Sequence, residues 1–376
     1  MQVASKQSPS VIATQLRLRL GHERERAAPI PASLDTLPAI PVVDVGPDFS
    51  AATLHAAEDV AHALLDGATR GVPVAVLKQL DAISRRWLVR QGNPSLGEID
   101  ALAARLGRPG GHFLSVNYEW GCSVAVGPSP DGTSARLTRT LDWFTPGLGR
   151  YVMAARVAGS AGPFVTLTWP GFVGVLQAMA PGRFSASINQ APLRRAGGGL
   201  FALDWLTAKS RAWRSNDRPA VHVLRTVMET ARTYEEARRM MIDTPVAAPV
   251  TFALAGIAPQ ETCIIERTER HAHVIEGPAC VTNHWRGLDH GAHSRGIDSE
   301  GRLGAMENAG RIELDAAFPW LKPPVLNELT RLAMVADAAE GRLVAQGFED
   351  CMPATRPLDL MSNEAASQAR NEVAAQ

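Results

Sequence analysis

Apolar positions between Ala51 and about Gly107 return every three or four residues: Leu54, Val60, Ala61, Leu64 and Leu65, then a run over Val74–Arg90, then Leu96–Leu106 behind Ser95. That period puts an apolar stripe along each segment, and Ser95 offers an N-cap oxygen, so the pattern predicts a helical N-terminal region. Beyond Pro109-Gly110-Gly111 the texture changes. Short runs rich in β-branched and aromatic residues follow one another: Phe113–Glu119, Ser123–Val126, Ala135–Arg139, Tyr151–Val157, Phe164–Trp169, Phe172–Met179 and Phe184–Asn189. Glycine and proline punctuate them, and the spacing predicts an antiparallel sheet. Helical spacing resumes at Leu200–Arg211, Val221–Thr230 and Tyr234–Ile242; strands return at Val250–Ile257, Thr262–Glu266, His271–Glu276 and Cys280–His284. From about Asp298 to the end the reading is helical again. Ahead of all this, residues 1–48 are a Pro-rich extended leader with one alternating run, Leu16, Leu18 and Leu20, that reads as a strand. The Ala/Gln-rich tail beyond Leu360 reads as frayed. Strands, helices, strands and helices in that order predict an α+β chain of four layers, α/β/β/α, with two sheets face to face and helices outside.

Composition narrows the class. A chain of 376 residues, 45% hydrophobic, has the length and apolar content to bury a large core. Its 38 basic residues balance 38 acidic ones, so no electrostatic footprint for nucleic acid or an anionic membrane exists at whole-chain level, and a small molecule is the expected partner. Nothing in the pattern opposes a homo-oligomer. Four scattered cysteines, Cys122, Cys263, Cys280 and Cys351, form no C-x-x-C pair, which argues against a disulfide framework and a structural zinc site. Arg17, Arg19, Arg24 and Arg26 lie near an apolar run, Val11–Ala13, too short for a signal-peptide core, and no stretch approaches membrane-spanning length. The expectation is a soluble, cytoplasmic protein.

The candidate chemistry centres on Cys122, preceded by Asn117-Tyr118-Glu119-Trp120-Gly121 and followed by Ser123-Val124-Ala125-Val126 at the head of a strand. A glycine before a cysteine gives the intervening peptide room to distort, as a thiol attacking the carbonyl behind it requires. A lone cysteine among β residues is more often a small buried hydrophobe. What changes the weighing is Arg139-Thr140-Leu141-Asp142-Trp143, one hairpin downstream, which the turn at Pro128–Ser134 would bring back beside the thiol with a cation and a carboxylate.

Tyr118-Glu119 ahead of Cys122, with Arg139 and Asp142 so spaced, resembles the N-terminal-nucleophile cysteine hydrolases: acid ceramidase, N-acylethanolamine acid amidase, penicillin V acylase, choloylglycine hydrolase and acyl-CoA:6-aminopenicillanate acyltransferase. A second block, Trp169-Pro170-Gly171-Phe172-Val173-Gly174-Val175-Leu176 leading through Pro181-Gly182 to Phe184-Ser185-Ala186-Ser187-Ile188-Asn189, resembles that family's strand pair ending in asparagine. A third is Val281-Thr282-Asn283-His284, followed by Asp298-Ser299-Glu300-Gly301-Arg302. The resemblance spans roughly residues 95–310. It implies the four-layer fold of that family, self-cleavage between Gly121 and Cys122, and a segment 1–121 that stays associated with a catalytic chain 122–376. It further implies Asn283 as oxyanion donor, Arg302 as a late-strand or helix-start support, and Asn189, Gln190, Trp143 and Trp169 about the substrate. The implied substrate is an N-acyl amide; no cofactor or metal is called for. Two departures stand out: Gln190 occupies the place of a glutamate in the ceramidase branch, leaving an arginine there without its carboxylate, and Ser123-Val124 replaces a threonine-serine pair.

The physical chemistry is consistent with that reading. A free N-terminal cysteine has an α-amine of pKa about 7.7–8.0 beside a thiol of about 8.5, so proton exchange between them is nearly isoenergetic and one residue supplies nucleophile and base. Arg139 would favour the thiolate, Asp142 orient the ammonium, and Asn283 donate to the oxyanion. The resulting thioester has two fates, water or an amine, so hydrolase and acyltransferase both stay open, as does a binding protein of the same fold with an uncut chain. His284, His290 and His293, and the pair His271 and His273, lack a metal-site motif and read as solvated histidines; Gly197-Gly198-Gly199 lacks the remainder of a phosphate loop and reads as a flexible loop. Trp143, Trp169 and Trp285 fall within the three blocks as candidates for an acyl pocket or for core.

Overall fold

The structure, a computed structural model, describes residues 34–46, 49–116, 119–196, 200–288 and 291–361. The expected strand at Leu16–Leu20, the leader before residue 34, Asn117, Tyr118, Gly197 to Gly199, His290 and the tail beyond residue 361 lie outside these. After a single 3-10 turn at Leu34–Thr36 the elements run β1 (Val42–Val45), α1 (Phe49–Ala56), α2 (Glu58–Thr69), α3 (Val74–Arg90), α4 (Leu96–Leu106), α5 (Gly111–Leu114), β2 (Trp120–Pro128), β3 (Ala135–Trp143), β4 (Met153–Gly159), β5 (Gly162–Thr168), β6 (Gln177–Ala180), β7 (Phe184–Gln190) and β8 (Leu193–Arg194). Then come α6 (Phe201–Arg214), α7 (Ala220–Thr230), α8 (Tyr234–Asp243), β9 (Val250–Ala255), β10 (Thr262–Arg267), β11 (Ala272–Glu276), β12 (Ala279–Val281), β13 (Ala292–His293), α9 (Ser299–Ala309), β14 (Thr330–Asp337), β15 (Arg342–Glu349), β16 (Met352–Pro353) and β17 (Leu358–Met361).

Eight strands form one sheet in the order β1-β4-β5-β6-β7-β9-β10-β11, with β1 parallel to β4 and the remaining pairs antiparallel. The second sheet runs β12-β2-β3-β14-β15-β16, with β17 also on β15; β8 and β13 make a small ribbon. Strands β2 and β3 face β7 and β9 across the inter-sheet core, where Val124, Leu137, Leu141, Ile188, Phe252, Leu332 and Met334 form one buried cluster. Helices α7 and α8 cover the outside of the first sheet, and α9 lies on β2 and β12 outside the second. This is the four-layer α/β/β/α arrangement. The N-terminal helices build a third apolar cluster, Leu54, Trp87, Leu88, Ile99 and Leu102, which closes on Val173 and Ala247 of the sandwich.

Four expectations need correction. The chain after Asp298 is helical only over α9 and then returns to strands. In β14, Leu332, Met334 and Ala336 face the inter-sheet core while Ala333 and Val335 face the cluster under α9, so both faces are apolar and the alternation that identifies a strand is missing. Phe113 and Leu114 belong to the short helix α5 rather than a strand, since the chain must turn at Gly110 (φ 115°) to pack α5 against α3 and α4. Phe172–Leu176 is not strand; only Gln177–Ala180 pairs, and likewise β12 ends at Val281, leaving Asn283 and His284 beyond the strand.

Candidate active site

The proposed junction lies inside β2, and the β2–β3 hairpin fixes what surrounds it. Gly121 pairs with Asp142, Cys122 with Leu141 and Val124 with Arg139. Side chains on a strand alternate between faces, so two positions separated by three residues point opposite ways. Arg139, between Leu137 and Leu141, therefore enters the inter-sheet core with Cys122, whereas Asp142 emerges behind the hairpin under α9. The expectation that hairpin closure brings both charges to the thiol holds for the arginine; the carboxylate instead approaches the backbone at Gly121, where an added Cβ would lie 3.3 Å from Asp142 Oδ2 and 3.4 Å from Gly296 Cα. A side chain at position 121 would require Asp142 or Gly296 to give way by a few tenths of an ångström.

Cys122 and Arg139 are fully buried. Arg139 Nη2 donates to Cys122 Sγ at 3.1 Å, and Nη1 donates to Leu176 O at 2.8 Å and Ile188 O at 2.7 Å. The guanidinium is thus held by carbonyls, not shared between the thiol and Asp142. Burial pushes the Cys122 thiol up to about 11; Asp142 adds to the rise, and Arg139 and Arg302 oppose it without overcoming it. Burial likewise lowers the Arg139 pKa, partly offset by Cys122 and Asp142. With the peptide continuous through Gly121–Cys122, Arg139 moderates the desolvation of the thiol rather than producing a thiolate.

Behind the strand a second network holds the backbone of Cys122. Cys122 N donates to Asn283 Oδ1 at 2.8 Å, and Asn283 Nδ2 donates to Gln190 O at 2.8 Å. Arg302, in the first turn of α9 and fully buried, donates to Cys122 O (2.6 Å), Ser123 Oγ (3.1 Å) and Asn283 Oδ1 (3.0 Å), and lies 3.5 Å from Asp142 Oδ2. Asp298 caps this helix, its side chain accepting from Gly301 N. Gly296 (φ 70°) lets the chain pass: a Cβ there would meet Arg302 Nη2 at 2.7 Å. Asn189 donates through Nδ2 to Val281 O and Thr282 O, tying β7 to the strand before Asn283.

Sequence reasoning missed several participants. Asn327 and Thr330 donate to the two Asp142 oxygens at 3.2 and 3.0 Å, and Ser299 Oγ accepts from Asn283 N at 2.9 Å. Asn327 and Thr330 come from a part of the chain read as helix, so nothing pointed to them. The carboxylate thought to be missing at position 190 is supplied by Glu119: its oxygens accept from Gln190 Nε2 (3.3 Å), Trp205 Nε1 (2.8 Å) and Arg295 Nη1, with Lys209 Nζ at 3.2 Å. Gln190 Oε1 accepts in turn from Trp120 N at 2.9 Å. Burial works against the Glu119 carboxylate, but Arg295, Lys209 and the Trp205 N–H together hold its pKa below the ordinary value.

Next to Trp120, Ile188 and Gln190 lies a cavity of about 140 Å³, lined also by Trp205, Trp213 and Arg295 among others; the buried Cys122 does not line it. Neither Trp143 nor Trp169 lines it. They extend an aromatic ladder inward instead, Trp143 stacking on Trp120 (5.6 Å, 24°) and meeting Trp169 edge-on at 6.0 Å, while Trp169 Nε1 donates to Leu148 O. Trp285 is half-buried and off the cavity. The described histidines do not converge: His284 Nδ1 meets Ser299 Oγ at 2.9 Å, and His293 Nε2 meets the buried Asp204 carboxylate at 2.9 Å.

Comparisons with known proteins bear on this geometry. A family model described as acyl-coenzyme A:6-aminopenicillanic acid acyl-transferase matches residues 201–313. Acid ceramidase of Pan troglodytes is 28% identical over 198 residues, 50% of this chain and 48% of that protein; acid ceramidase of Heterocephalus glaber is 33% identical over 108 residues, 28% and 26% respectively. The chain thus spans about half the length, or less, of the curated relatives it matches. Among solved structures, a Caenorhabditis elegans N-acylethanolamine-hydrolyzing acid amidase ortholog is similar with a TM-score of 0.45 at 22% identity, covering 57% of this chain and 92% of that one. No described helix is long and apolar enough to cross a membrane. By sequence, then, the chain is similar to the acyl-coenzyme A:6-aminopenicillanic acid acyl-transferase family over residues 201–313 and to acid ceramidase over at most half of its length.

Proposed function

We propose that this chain cleaves itself between Gly121 and Cys122 and then hydrolyses a linear amide of an N-acylated small molecule through a thioester on Cys122. The observation that carries the reading is the pairing at one residue: Arg139 Nη2 on Cys122 Sγ at 3.1 Å and Asn283 Oδ1 on Cys122 N at 2.8 Å. In self-cleavage Sγ bonds to the Gly121 carbonyl carbon, the Gly121–Cys122 C–N bond breaks, and the thiol proton ends on the Cys122 nitrogen. Water then splits the thioester, leaving a Gly121 carboxylate and a free N-terminal cysteine.

The same groups serve the second reaction. The new α-amine takes the thiol proton, Sγ attacks the substrate carbonyl, and the proton passes on to the departing amine. Arg139 stabilises the thiolate, and Asn283 Nδ2, which in the uncut chain donates to Gln190 O, turns to donate to the oxyanion. Asp142 and Arg302 fix the backbone between them. Segments 1–121 and 122–376 stay together after the cut, supported by contacts across it: Trp87 Nε1 to Ser215 O (2.9 Å), Asn93 to His222 (2.9 Å) and Arg225 to Glu98 (2.6 Å). A cytoplasmic location accords with four free cysteines. The matched family description favours a second reading, interception of the thioester by an amine. Incubating an N-acyl amide with and without an added amine tests both: free acid alone supports hydrolysis, a new amide supports transfer, and no consumption of any N-acyl amide contradicts the proposal.

A further inference from the structure

In a chain of zero net charge the cavity lined by Glu119 and Trp120 is cationic. Arg194, Lys209, Arg211 and Arg295 line it against two carboxylates, Glu119 and Glu269. Arg194 is matched by Glu269 at 3.0 Å, but Arg295 and Lys209 share the single carboxylate of Glu119. The Nε–H of Arg295 and the indole N–H of Trp213, both buried on residues lining the cavity, find no acceptor among the described residues. Buried donors without acceptors are uncommon in folded proteins, and here they accompany surplus positive charge. The apolar wall is flat: Trp87, Trp205 and Trp213, with Lys209 Nζ 5.5 Å from the Trp205 ring centroid. The volume of about 140 Å³ is close to the ~150 Å³ in which an apolar cavity holds a benzene ring.

The chain supplies its own guide to what fills this space. The thioester of self-cleavage is an acyl-enzyme whose acyl group ends Glu119-Trp120-Gly121. From Sγ it passes an aromatic ring, Trp120, and then a carboxylate, Glu119, seated on Arg295 and Lys209. We propose, building on the reading of Cys122 as the self-cleaving nucleophile, that the substrate's acyl part follows the same order: an aromatic or flat apolar group near the scissile carbonyl and a carboxylate beyond it, held by Arg295 and Lys209. Hydrolysis of the self-thioester detaches the Glu119 tail from Cys122 and leaves those two cations to the substrate.

Two measurements decide this independently of each other. The first needs no catalysis: the full-length Cys122→Ala/Glu119→Gln chain is titrated with phenylsuccinate and with its dimethyl ester by calorimetry. Phenylsuccinate should bind about tenfold tighter or better, and adding Lys209→Gln should remove most of that difference; equal binding of acid and ester overturns the subsite. The second uses the wild-type chain, which also covers failure of the variant to fold. The mono-p-nitroanilide of phenylsuccinic acid should have a KM about tenfold below that of its methyl ester with similar kcat, and equal KM values overturn the subsite. If neither anilide is hydrolysed while calorimetry still discriminates, the nucleophile reading fails and the anion subsite stands.

Discussion

Two polar clusters flank the proposed junction, and they are built on different terms. Around Cys122, the side chains of Arg139, Asp142, Asn283 and Arg302 are at most 1% exposed and are held by hydrogen bonds to strands, carbonyls and one another. Three residues upstream, Glu119 meets Arg295 and Lys209 at the edge of a cavity, with charge left over and donors unsatisfied. The first cluster specifies one geometry. The second, in the proposed reading, exchanges its anion for the substrate's. Low-dielectric burial makes each bond of the first strong and each lost partner costly, whereas a partly exposed ion pair is worth little and is readily replaced. In the proposed reading, chemistry belongs to the rigid cluster and choice of substrate to the rim.

The strongest way to break this contrast is to truncate the rigid side. Asn283→Ala should fold, and once cut should turn over about 10²–10³-fold more slowly with a smaller change in KM, the usual loss for one oxyanion donor. Steady-state kinetics on cut protein would refute the role if kcat were unchanged.

The charge state of Cys122 comes next. In the uncut chain its thiol, at about 11, should be alkylated by iodoacetamide at pH 8 about a hundredfold more slowly than a cysteine of ordinary pKa. The rate should climb until about pH 11. Because a cation favours the thiolate, Arg139→Gln should move the midpoint upward and Arg139→Lys should restore part of it. Peptide mass spectrometry of the Cys122 label, with circular dichroism to confirm folding, reads the curves; midpoints that superimpose would make Arg139 a packing group only.

The rim should give the smallest effect. Gln190→Glu adds a second carboxylate beside Glu119 while keeping an acceptor for Trp120 N. It should reduce the preference for the acid over the ester of the phenylsuccinyl anilides several-fold, with little change for the ester. A preference that rose instead would mean that the cations do not select the substrate.

How much of this was readable in the chain follows the same division. Helices α3 and α4 have the predicted bounds because their apolar residues return at helical spacing and face one core. β14 was lost because apolar residues line both its faces. Cys122, Arg139 and Asp142 stood out because a hairpin makes sequence spacing into spatial proximity, though the opposite orientation of positions 139 and 142 required the period-two rule. Asn283 and Arg302 came only through resemblance to a family. Glu119 and Arg295, 176 positions apart, could not be paired by any local pattern, nor could Asp142 with Asn327 and Thr330. Contacts assembled by topology from distant segments leave no periodic trace in a single sequence.

The central claim is that Cys122 cuts the peptide behind it, and intact mass under denaturing conditions tests it most directly. After incubation near neutral pH the wild-type chain should resolve into residues 1–121 and 122–376, and Cys122→Ala should remain one chain of 376 residues. A wild-type protein that stays whole, or a Cys122→Ala protein cut at the same bond, would contradict the account.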